Sequence, residues 1–422
     1  MLMGDFSTQI MNGERMKYQA YQAYADMMGQ LDVFARAFRA AALHAGMKAY
    51  PLAHRLAALQ EVFSTLQITH GRPAFGIHSV RIDDGRMLRE VGVDEEAVHT
   101  DAFGTLLHFR KAGSGGGPPV LLVAPMSGHF STLLRDTVRT MLADHDVYIT
   151  DWHNARDVPL AAGRFGLEEY VQYLITYLEM MGPGVHMVAV CQSCVAALAA
   201  TALMSEDHHP AQPRSLTLMA GPIDTRINPT RVNQLASSRS FQWFERNQIS
   251  IVPNRHRGAS RRVYPGFVQL AAFLSMNMER HVKSFRDLYN CLVENDVERA
   301  DAIRRFYNEY FAVSDLTAEF YLETVHDIFQ EYTLPRGRMA WRGRIVNPAL
   351  IRRTVLLTVE GERDDICAIG QTMAAQELCS GIPTYKKLHH MQAGVGHYGV
   401  FSGRRWERQI YPVVRDVILS SA

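Results

Sequence analysis

The chain has 422 residues, of which 47% are hydrophobic and 21% are charged, with a formal net charge of +1. This balance excludes the strongly basic composition of nucleic-acid-binding proteins and the low hydrophobicity of disordered chains. Five cysteines in a chain of this length indicate a reducing compartment without a disulfide framework. The first residues lack the basic and apolar regions of a secretory signal, so we expect a cytoplasmic protein.

The N-terminal segment, residues 1–70, is predicted to be helical. Apolar residues recur every three or four positions from Met27 to Phe38 and again from Leu52 to Leu66. Pro51 is expected to separate the two helices. Packing of both apolar faces on the core is the ordinary interpretation. Contact of one face with a partner or an apolar surface is the alternative.

From residue 71 the pattern changes to strands that alternate with helices. Short strands are expected within residues 75–111, and Val120–Ala124 is an unbroken apolar run typical of a strand buried on both faces. Because such alternation builds parallel sheets, residues 71–224 and 351–422 are predicted to form an α/β core. Further strands are predicted at 147–150, 216–219, 354–359 and 384–390, and helices at 131–143, 369–379 and 405–419.

Residues 225–350 interrupt this alternation with a mostly helical pattern that is rich in aromatic residues. An insertion between two strands of a parallel sheet lies above their carboxyl ends, where the sites of such proteins are found. We therefore expect a helical lid. Its residues Trp243, Phe244, Tyr264 and Phe267 are predicted to line the entrance and bind substrate. The alternative is that they form the core of an ordinary helical subdomain.

The stretch His186–Ala200 joins two apolar runs through a short polar interruption, Cys191-Gln192-Ser193. A buried strand, a tight turn and a buried helix explain this pattern better than a membrane span. Cys191 lies in the turn with the small residues Ala189 and Ser193 two positions away, which is the spacing of a nucleophile elbow. The N-terminus of the following helix favours a thiolate there, and the Gln192 N–H is expected to stabilise an oxyanion.

Other interpretations of this stretch stay open. Cysteine is among the most buried residue types, so Cys191 taken alone also fits a structural role. Ser193 is a rival nucleophile, although Val195 two positions later suits a cramped elbow poorly. Cys191 and Cys194 have the spacing of a C-x-x-C pair, but a metal or redox site needs a second pair or clustered histidines.

Cys191, Asp364 and His397 follow the chain order of the α/β-hydrolase triad, and each comes where a predicted strand ends. We therefore predict an α/β-hydrolase fold, with a mostly parallel sheet flanked by helices and a helical lid insertion. The carboxyl ends of parallel strands share one edge of the sheet, so these three side chains are expected to meet there. Asp365 is the alternative acid.

The loop that follows the strand Val120–Ala124 is expected to complete the site. It carries Met126 and Ser127, one of which is predicted to supply the second oxyanion donor. His129 is expected to line the pocket. The acidic cluster at residues 360–365 lacks paired histidines at ligand spacing, so neither a metal nor a cofactor is expected.

Eight stretches, spread over nearly the whole chain, are similar to the intracellular polyhydroxybutyrate depolymerases. They are Ala124–His129, Leu133–Thr140, Val147–Trp152, Gly221–Asp224, Arg262–Phe267, Phe329–Glu331, Val359-Glu-Gly-Glu-Arg-Asp-Asp365 and Gly396-His-Tyr-Gly-Val-Phe-Ser-Gly-Arg-Arg-Trp406. The resemblance implies a Cys-His-Asp mechanism on Cys191, His397 and Asp364. It also implies hydrolysis of stored polyester at the granule surface. The chain departs from the family pattern at Ser193-Cys194 and at Met126, which concerns the shape of the pocket.

Two other functions share these features. A polyester synthase has the same fold and thiol nucleophile but transfers acyl groups from coenzyme A. A non-catalytic granule-binding protein would use the fold for attachment alone. The sequence leaves the preferred monomer length, the acyl acceptor and the oligomeric state, including a homodimer, open. It predicts neither a nucleic-acid partner nor a membrane span.

Overall fold

The structure is a computed structural model that describes residues 18–23, 25–30, 33, 37, 51–83, 87–113, 116–276 and 278–421. Of the first predicted apolar series, Leu31, Phe34 and Phe38 lie outside the described residues, and Met27 is in a helix with its side chain exposed.

A nine-stranded sheet forms the centre of the molecule. Its strands are β1 (Ser79–Asp83), β2 (Leu88–Thr100), β3 (Gly104–Lys111), β4 (Pro119–Val123), β5 (Asp146–Trp152), β6 (His186–Val190), β7 (Ser215–Met219), β13 (Val355–Gly361) and β14 (Lys387–Gln392). Short strands of the insertion between β7 and β13 are β8 (Ser250–Ile251), β9 (Arg262–Tyr264), β10 (Leu316–Thr317), β11 (Ala340–Trp341) and β12 (Arg344–Ile345).

The order across the sheet is β1-β2-β3-β5-β4-β6-β7-β13-β14. The first strands pair antiparallel, and every pairing from β5 to β14 is parallel. The strands β4, β6, β7 and β13 are the apolar runs of the sequence, and nearly all of their side chains are buried. Sheet order and the turn after β6 confirm the predicted α/β-hydrolase fold.

The direction of winding changes between β4 and β6, because β5 lies on one side of β4 and β6 on the other. Ligands of open α/β sheets bind beyond the carboxyl ends of the strands at such a switch point. The loop 124–130 after β4 and the turn at Cys191 after β6 therefore lie where a site is expected.

Helices cover both faces of the sheet and make up most of the insertion. They are α1 (Pro51–Thr65), α2 (Arg135–Met141), α3 (Leu167–Met181), α4 (Ser193–Glu206), α5 (Arg231–Ser237), α6 (Phe241–Gln248), α7 (Gly266–Met276), α8 (Met278–Glu294), α9 (Val297–Tyr310), α10 (Ala318–Glu323), α11 (Ala375–Leu378), α12 (Gly403–Arg405) and α13 (Tyr411–Ser421). Residues Thr324–Gln330 and Trp406–Ile410 form π-helical turns.

The predicted helix 369–379 is wrong over most of its length, because only the single turn of α11 forms. The buried carboxylate of Glu360 accepts hydrogen bonds from the N–H groups of Gly370, Thr372 and Met373 at 2.8–3.0 Å. These N–H groups are thereby held by a side chain of β13 instead of by helical carbonyls, and the segment folds as a series of turns.

The apolar series of α1 faces away from the core. Leu52, Leu56 and Leu59 are more than half exposed, whereas the smaller side chains of Ala58 and Val62 are buried. Small side chains at the contact let α1 approach α8, where Val62 joins an apolar cluster with residues of α8 and α9. The interpretation that this face packs on the core is thus wrong for α1, and contact with a partner or an apolar surface stays open.

The apolar run at 185–204 divides between β6 and α4, and α4 has only 14 residues. Within the part of the chain that the structure describes, no helix combines the length and the hydropathy needed to cross a bilayer. The predicted domain boundaries at residues 70, 224 and 350 stay predictions.

Candidate active site

Cys191 occupies a strained turn between β6 and α4. Its φ is 58°, in the left-handed region that residues with a side chain seldom adopt. The turn is fixed by a 2.7 Å hydrogen bond from the Cys191 N–H to the Met219 carbonyl. It also packs against Gly221, where an added Cβ would come within 2.3 Å of the Cys194 side chain. This geometry presents the Cys191 side chain, which is partly exposed, above the N-terminus of α4.

His397 follows β14 in a 3₁₀ turn and contacts both other members of the predicted triad. Its Nδ1–H donates a 2.8 Å hydrogen bond to Asp364 Oδ2, and its ring lies close enough to the Cys191 side chain for the two groups to interact. Because Nδ1 faces the carboxylate, the contact with Cys191 falls to Nε2. The structure thus brings the three residues together with His397 in the middle.

The ionisation of His397 is set by its neighbours. Burial of the ring disfavours the charged form, but the interactions with the Asp364 carboxylate and with the neighbouring Cys191 outweigh this effect and hold the pKa of His397 well above its ordinary value. The ring of His397 therefore holds its proton more tightly than an ordinary imidazole does.

Backbone donors fix the orientation of Asp364. Its Oδ1 accepts hydrogen bonds from the N–H groups of Ile366 and Cys367 at 2.9 and 2.8 Å, which leaves Oδ2 for the imidazole. Asp365, the alternative acid, is exposed. These backbone hydrogen bonds orient the Asp364 carboxylate independently of its hydrogen bond to His397.

The loop that carries the acid is joined to the loop that carries the histidine. The Arg363 N–H donates to the Val395 carbonyl at 2.8 Å, and the Gly394 N–H donates to Glu362 Oε2 at 2.6 Å. With Glu360 holding residues 370–373, the acidic cluster serves as a scaffold for the two loops. Among the described residues, no group of three His, Cys, Asp or Glu side chains is arranged to hold a metal ion.

Ser193 and Cys194 both point into the structure. The Ser193 hydroxyl is fully buried, accepts a hydrogen bond from the Val190 N–H at 3.0 Å and lies 2.8 Å from the Val190 carbonyl. Cys194 is also fully buried, and burial raises the pKa of its thiol well above the usual range. Neither side chain faces the imidazole, so the elbow presents a single nucleophile.

The predicted oxyanion donors lie on either side of the elbow. The Gln192 N–H, at the start of α4, has no hydrogen-bond partner among the described residues. The Met126 N–H donates a long, 3.3 Å hydrogen bond to the Gln192 Oε1 atom. Ser127 instead uses its carbonyl to accept from Gln269 of α7. A developing oxyanion can replace the neutral Gln192 acceptor at Met126, because charge-assisted hydrogen bonds are the stronger ones.

His129 lies between this loop and the insertion. It is 5% exposed, and its Nε2–H donates a 3.1 Å hydrogen bond to the Tyr310 carbonyl. Burial lowers the pKa of His129 to about 4, so the ring is neutral. Its contacts join the oxyanion loop to α9, and whether it also touches substrate stays a prediction.

The predicted entrance aromatics differ in their surroundings. Phe244 and Tyr264 are only 5% and 6% exposed and belong to the main core, so the expectation of an exposed binding face needs correction for both. Phe267 stacks on Tyr21 at 3.7 Å between ring centroids. Trp243 is partly exposed and lies beneath the Arg239 guanidinium.

Other aromatic residues stand beside the imidazole. Tyr398 follows His397 directly, with ring centroids 5.8 Å apart, and Tyr310 of α9 lies 6.2 Å from Tyr398. Neither residue is among those predicted from the sequence. For Tyr398 the signal was its place next to the predicted base. Tyr310 reaches the site through long-range packing of α9, which local sequence patterns do not predict.

A family model described as PHB de-polymerase C-terminus matches residues 220–422. The match covers 203 of the 422 residues, just under half of the chain. The matched region contains the insertion, Asp364 and His397, and it does not include Cys191. Among the stretches of resemblance, those before residue 220 lie outside it. The match of residues 220–422 to this family model, together with the α/β-hydrolase fold, supports an ester hydrolase.

No curated protein matches the chain in sequence. Solved structures similar to it include a monoacylglycerol lipase from Paleococcus ferrophilus, with 12% identity, a TM-score of 0.42, and coverage of 73% of this chain and 97% of that one. A thioesterase domain from the curacin biosynthetic pathway has 11% identity, a TM-score of 0.42 and coverage of 78% and 99%. An α/β fold family hydrolase from Bacillus anthracis has 11% identity, a TM-score of 0.39 and coverage of 78% and 99%.

Proposed function

We propose that this protein hydrolyses the ester bonds of stored polyhydroxybutyrate, with Cys191 as nucleophile, His397 as general acid and base, and Asp364 as the residue that orients His397. The observation that carries the proposal is the placement of His397, which hydrogen-bonds the buried Asp364 carboxylate through Nδ1 and lies close enough to Cys191 to interact with it. The similarity of residues 220–422 to the PHB de-polymerase C-terminus family supports the polyester as substrate.

Acylation begins with the thiolate of Cys191. Its sulfur attacks the ester carbonyl carbon, and the carbonyl electrons move onto oxygen to give a tetrahedral oxyanion. The N–H groups of Gln192 and Met126 stabilise that charge. When the carbon–oxygen bond breaks, the imidazolium of His397 donates its proton to the departing alkoxide, and a 3-hydroxybutyryl thioester stays on the enzyme.

Deacylation uses the neutral imidazole that acylation leaves. His397 removes a proton from water as the water oxygen attacks the thioester carbonyl, and the collapse of the second tetrahedral intermediate releases the carboxylic acid. The sulfur leaves as a thiolate beside the regenerated imidazolium. Asp364 stabilises this cation in both half-reactions, as the corresponding carboxylate does in serine hydrolases.

The site of action that follows from this substrate is the surface of a polyester granule in the cytoplasm. The partner is then the polymer itself, an apolar solid. A homodimer stays an expectation without a structural argument. The mechanism uses only side chains and backbone groups of this chain, and it requires no cofactor.

Incubation of the purified protein with amorphous polyhydroxybutyrate granules tests the proposal. We expect release of 3-hydroxybutyrate monomers or oligomers by the wild type and none by Cys191→Ala. Polymer growth from 3-hydroxybutyryl-CoA would instead indicate a synthase. Granule binding without any product from the wild type would indicate a non-catalytic binding protein.

A further inference from the structure

The C-terminal end of α9 lies across the candidate active site. The Tyr310 carbonyl accepts a hydrogen bond from His129 of the oxyanion loop, and the Ser314 N–H donates to the Gly128 carbonyl of the same loop at 2.9 Å. On its other side, the Tyr310 ring contacts Tyr398 of the loop that carries the base. The end of α9 therefore connects the two loops that flank Cys191.

Three aromatic rings form one wall at this place. Phe306, one turn before Tyr310, stacks on it with ring centroids 5.4 Å apart and meets the edge of Tyr398 at 6.2 Å. Phe306 is 39% exposed and Tyr398 is partly exposed, so the wall has an accessible side. Tyr398 also lies close enough to Cys191 for the two groups to interact electrostatically.

The hydroxyl groups of this wall are available as donors. Neither the Tyr310 nor the Tyr398 hydroxyl has a hydrogen-bond partner among the residues that the structure describes, and neither is among the fully buried unpartnered polar atoms, so both hydroxyls reach solvent. By contrast, Tyr307, on the same helix, has its hydroxyl 2.9 Å from His281 Nδ1. Burial raises the phenol pKa of both Tyr310 and Tyr398, so both stay protonated at any pH at which the enzyme would act. Two protonated hydroxyls that reach solvent beside Cys191 can donate hydrogen bonds to a bound ligand that supplies acceptors.

We infer that Phe306, Tyr310 and Tyr398 bind the polyester chain beside the scissile bond, with the two tyrosine hydroxyls donating hydrogen bonds to ester carbonyls of the adjoining repeat unit. The inference rests on the proposed function and names its substrate subsite. An aliphatic polyester offers methyl groups and carbonyl acceptors but no donors within the chain. A complementary surface must therefore combine apolar area with hydroxyl donors, as tyrosine does.

The test compares a substrate that has an adjoining ester with one that has none. For Tyr310→Phe and Tyr398→Phe, which keep the ring, kcat/KM is measured on a linear 3-hydroxybutyrate trimer and on 4-nitrophenyl butyrate. We expect each variant to lose roughly 10-fold on the trimer, the effect of one buried hydrogen bond, with little change on the single ester. Tyr307→Phe is the matched control and should keep the wild-type ratio of the two values.

Affinity gives a second readout that does not depend on turnover. In a Cys191→Ala background, calorimetric binding of the trimer should weaken by a similar factor when Tyr310 or Tyr398 is replaced by Phe. Thermal unfolding of each variant checks that the fold is retained.

An unchanged trimer-to-single-ester ratio in both variants would overturn the inference, as would equal losses on both substrates, which would assign the hydroxyls to the triad instead of to the chain. These outcomes differ from failure of the proposed function. In that case the wild type itself would cleave the single ester but neither the trimer nor the polymer.

Discussion

At the scale of single residues, the two oxygens of Asp364 have different roles. Oδ1 accepts hydrogen bonds from backbone N–H groups, and Oδ2 accepts one from His397. Asp364→Asn removes the negative charge, and the Asn side chain can present an NH2 group instead of an acceptor to the Nδ1–H of His397. We expect kcat to fall by roughly 10³–10⁴-fold. Asp365→Asn, at an exposed position, should stay within a few-fold of wild type. Steady-state kinetics of the two variants decides, and the opposite ranking would assign the acid to Asp365.

The nucleophile can be assigned with a similar pair. Cys191→Ala should reduce kcat by roughly 10⁴-fold or more, because the reacting atom is removed. Ser193→Ala should keep most of its turnover and instead lose about 1–3 kcal/mol of unfolding free energy, because its buried hydroxyl bonds backbone groups at Val190. Kinetics and urea unfolding measure the two effects. An inactive Ser193→Ala together with an active Cys191→Ala would show that the nucleophile has been misassigned.

The raised pKa of His397 has a defined consequence for stability. A group whose pKa is higher in the folded state stabilises that state fully below its unfolded pKa, about 6.5 for histidine, and the contribution is lost as pH rises through the folded pKa. Wild type should therefore exceed His397→Asn in unfolding free energy more at about pH 6 than at about pH 9. Urea unfolding at both values measures this difference, and an advantage that grows with pH would contradict the assigned charge state.

At the scale of elements, Glu360 stabilises the conformation of the loop that contains residues 370–373. Its carboxylate receives the N–H groups of Gly370, Thr372 and Met373, and this segment adjoins Asp364. Glu360→Gln leaves an amide with one acceptor for three donors. We expect a loss of about 3 kcal/mol in unfolding free energy and a lower kcat. Glu377→Gln, at an exposed position of α11, is the control. Equal stability of the two variants would refute the scaffold role.

The segment bound by Glu360 shows why some elements could be predicted from the sequence and others could not. The strands β4, β6, β7 and β13 could be predicted because a strand buried on both faces must be apolar throughout. The helix 369–379 was predicted from local composition, but a carboxylate on a neighbouring strand holds its N–H groups. For the candidate site, the residues at strand ends could be anticipated from the fold. The wall formed by Tyr310 and Tyr398 could not, because it arises from the packing of α9 against distant loops.

At the scale of the whole molecule, α1 has an apolar side that the described part of the chain leaves exposed. Leu59 is 58% exposed and Val62, three residues later, is 8% exposed. Leu59→Gln should change the unfolding free energy by no more than about 0.5 kcal/mol, whereas Val62→Gln should cost about 2–3 kcal/mol because it buries an amide at the contact with α8. Thermal or urea unfolding compares them. A larger loss for Leu59→Gln would mean that this face is covered.

The distribution of the five thiols has a practical consequence. Cys194, Cys291, Cys367 and Cys379 are buried, and Cys191 alone is partly exposed. Burial also raises the pKa of Cys194 and Cys367 well above the usual range, so they are poor nucleophiles. Iodoacetamide should therefore consume one equivalent per native chain and five after denaturation. Reagent uptake by the native protein would then count intact sites in any preparation, without a substrate and before the natural reaction has been measured.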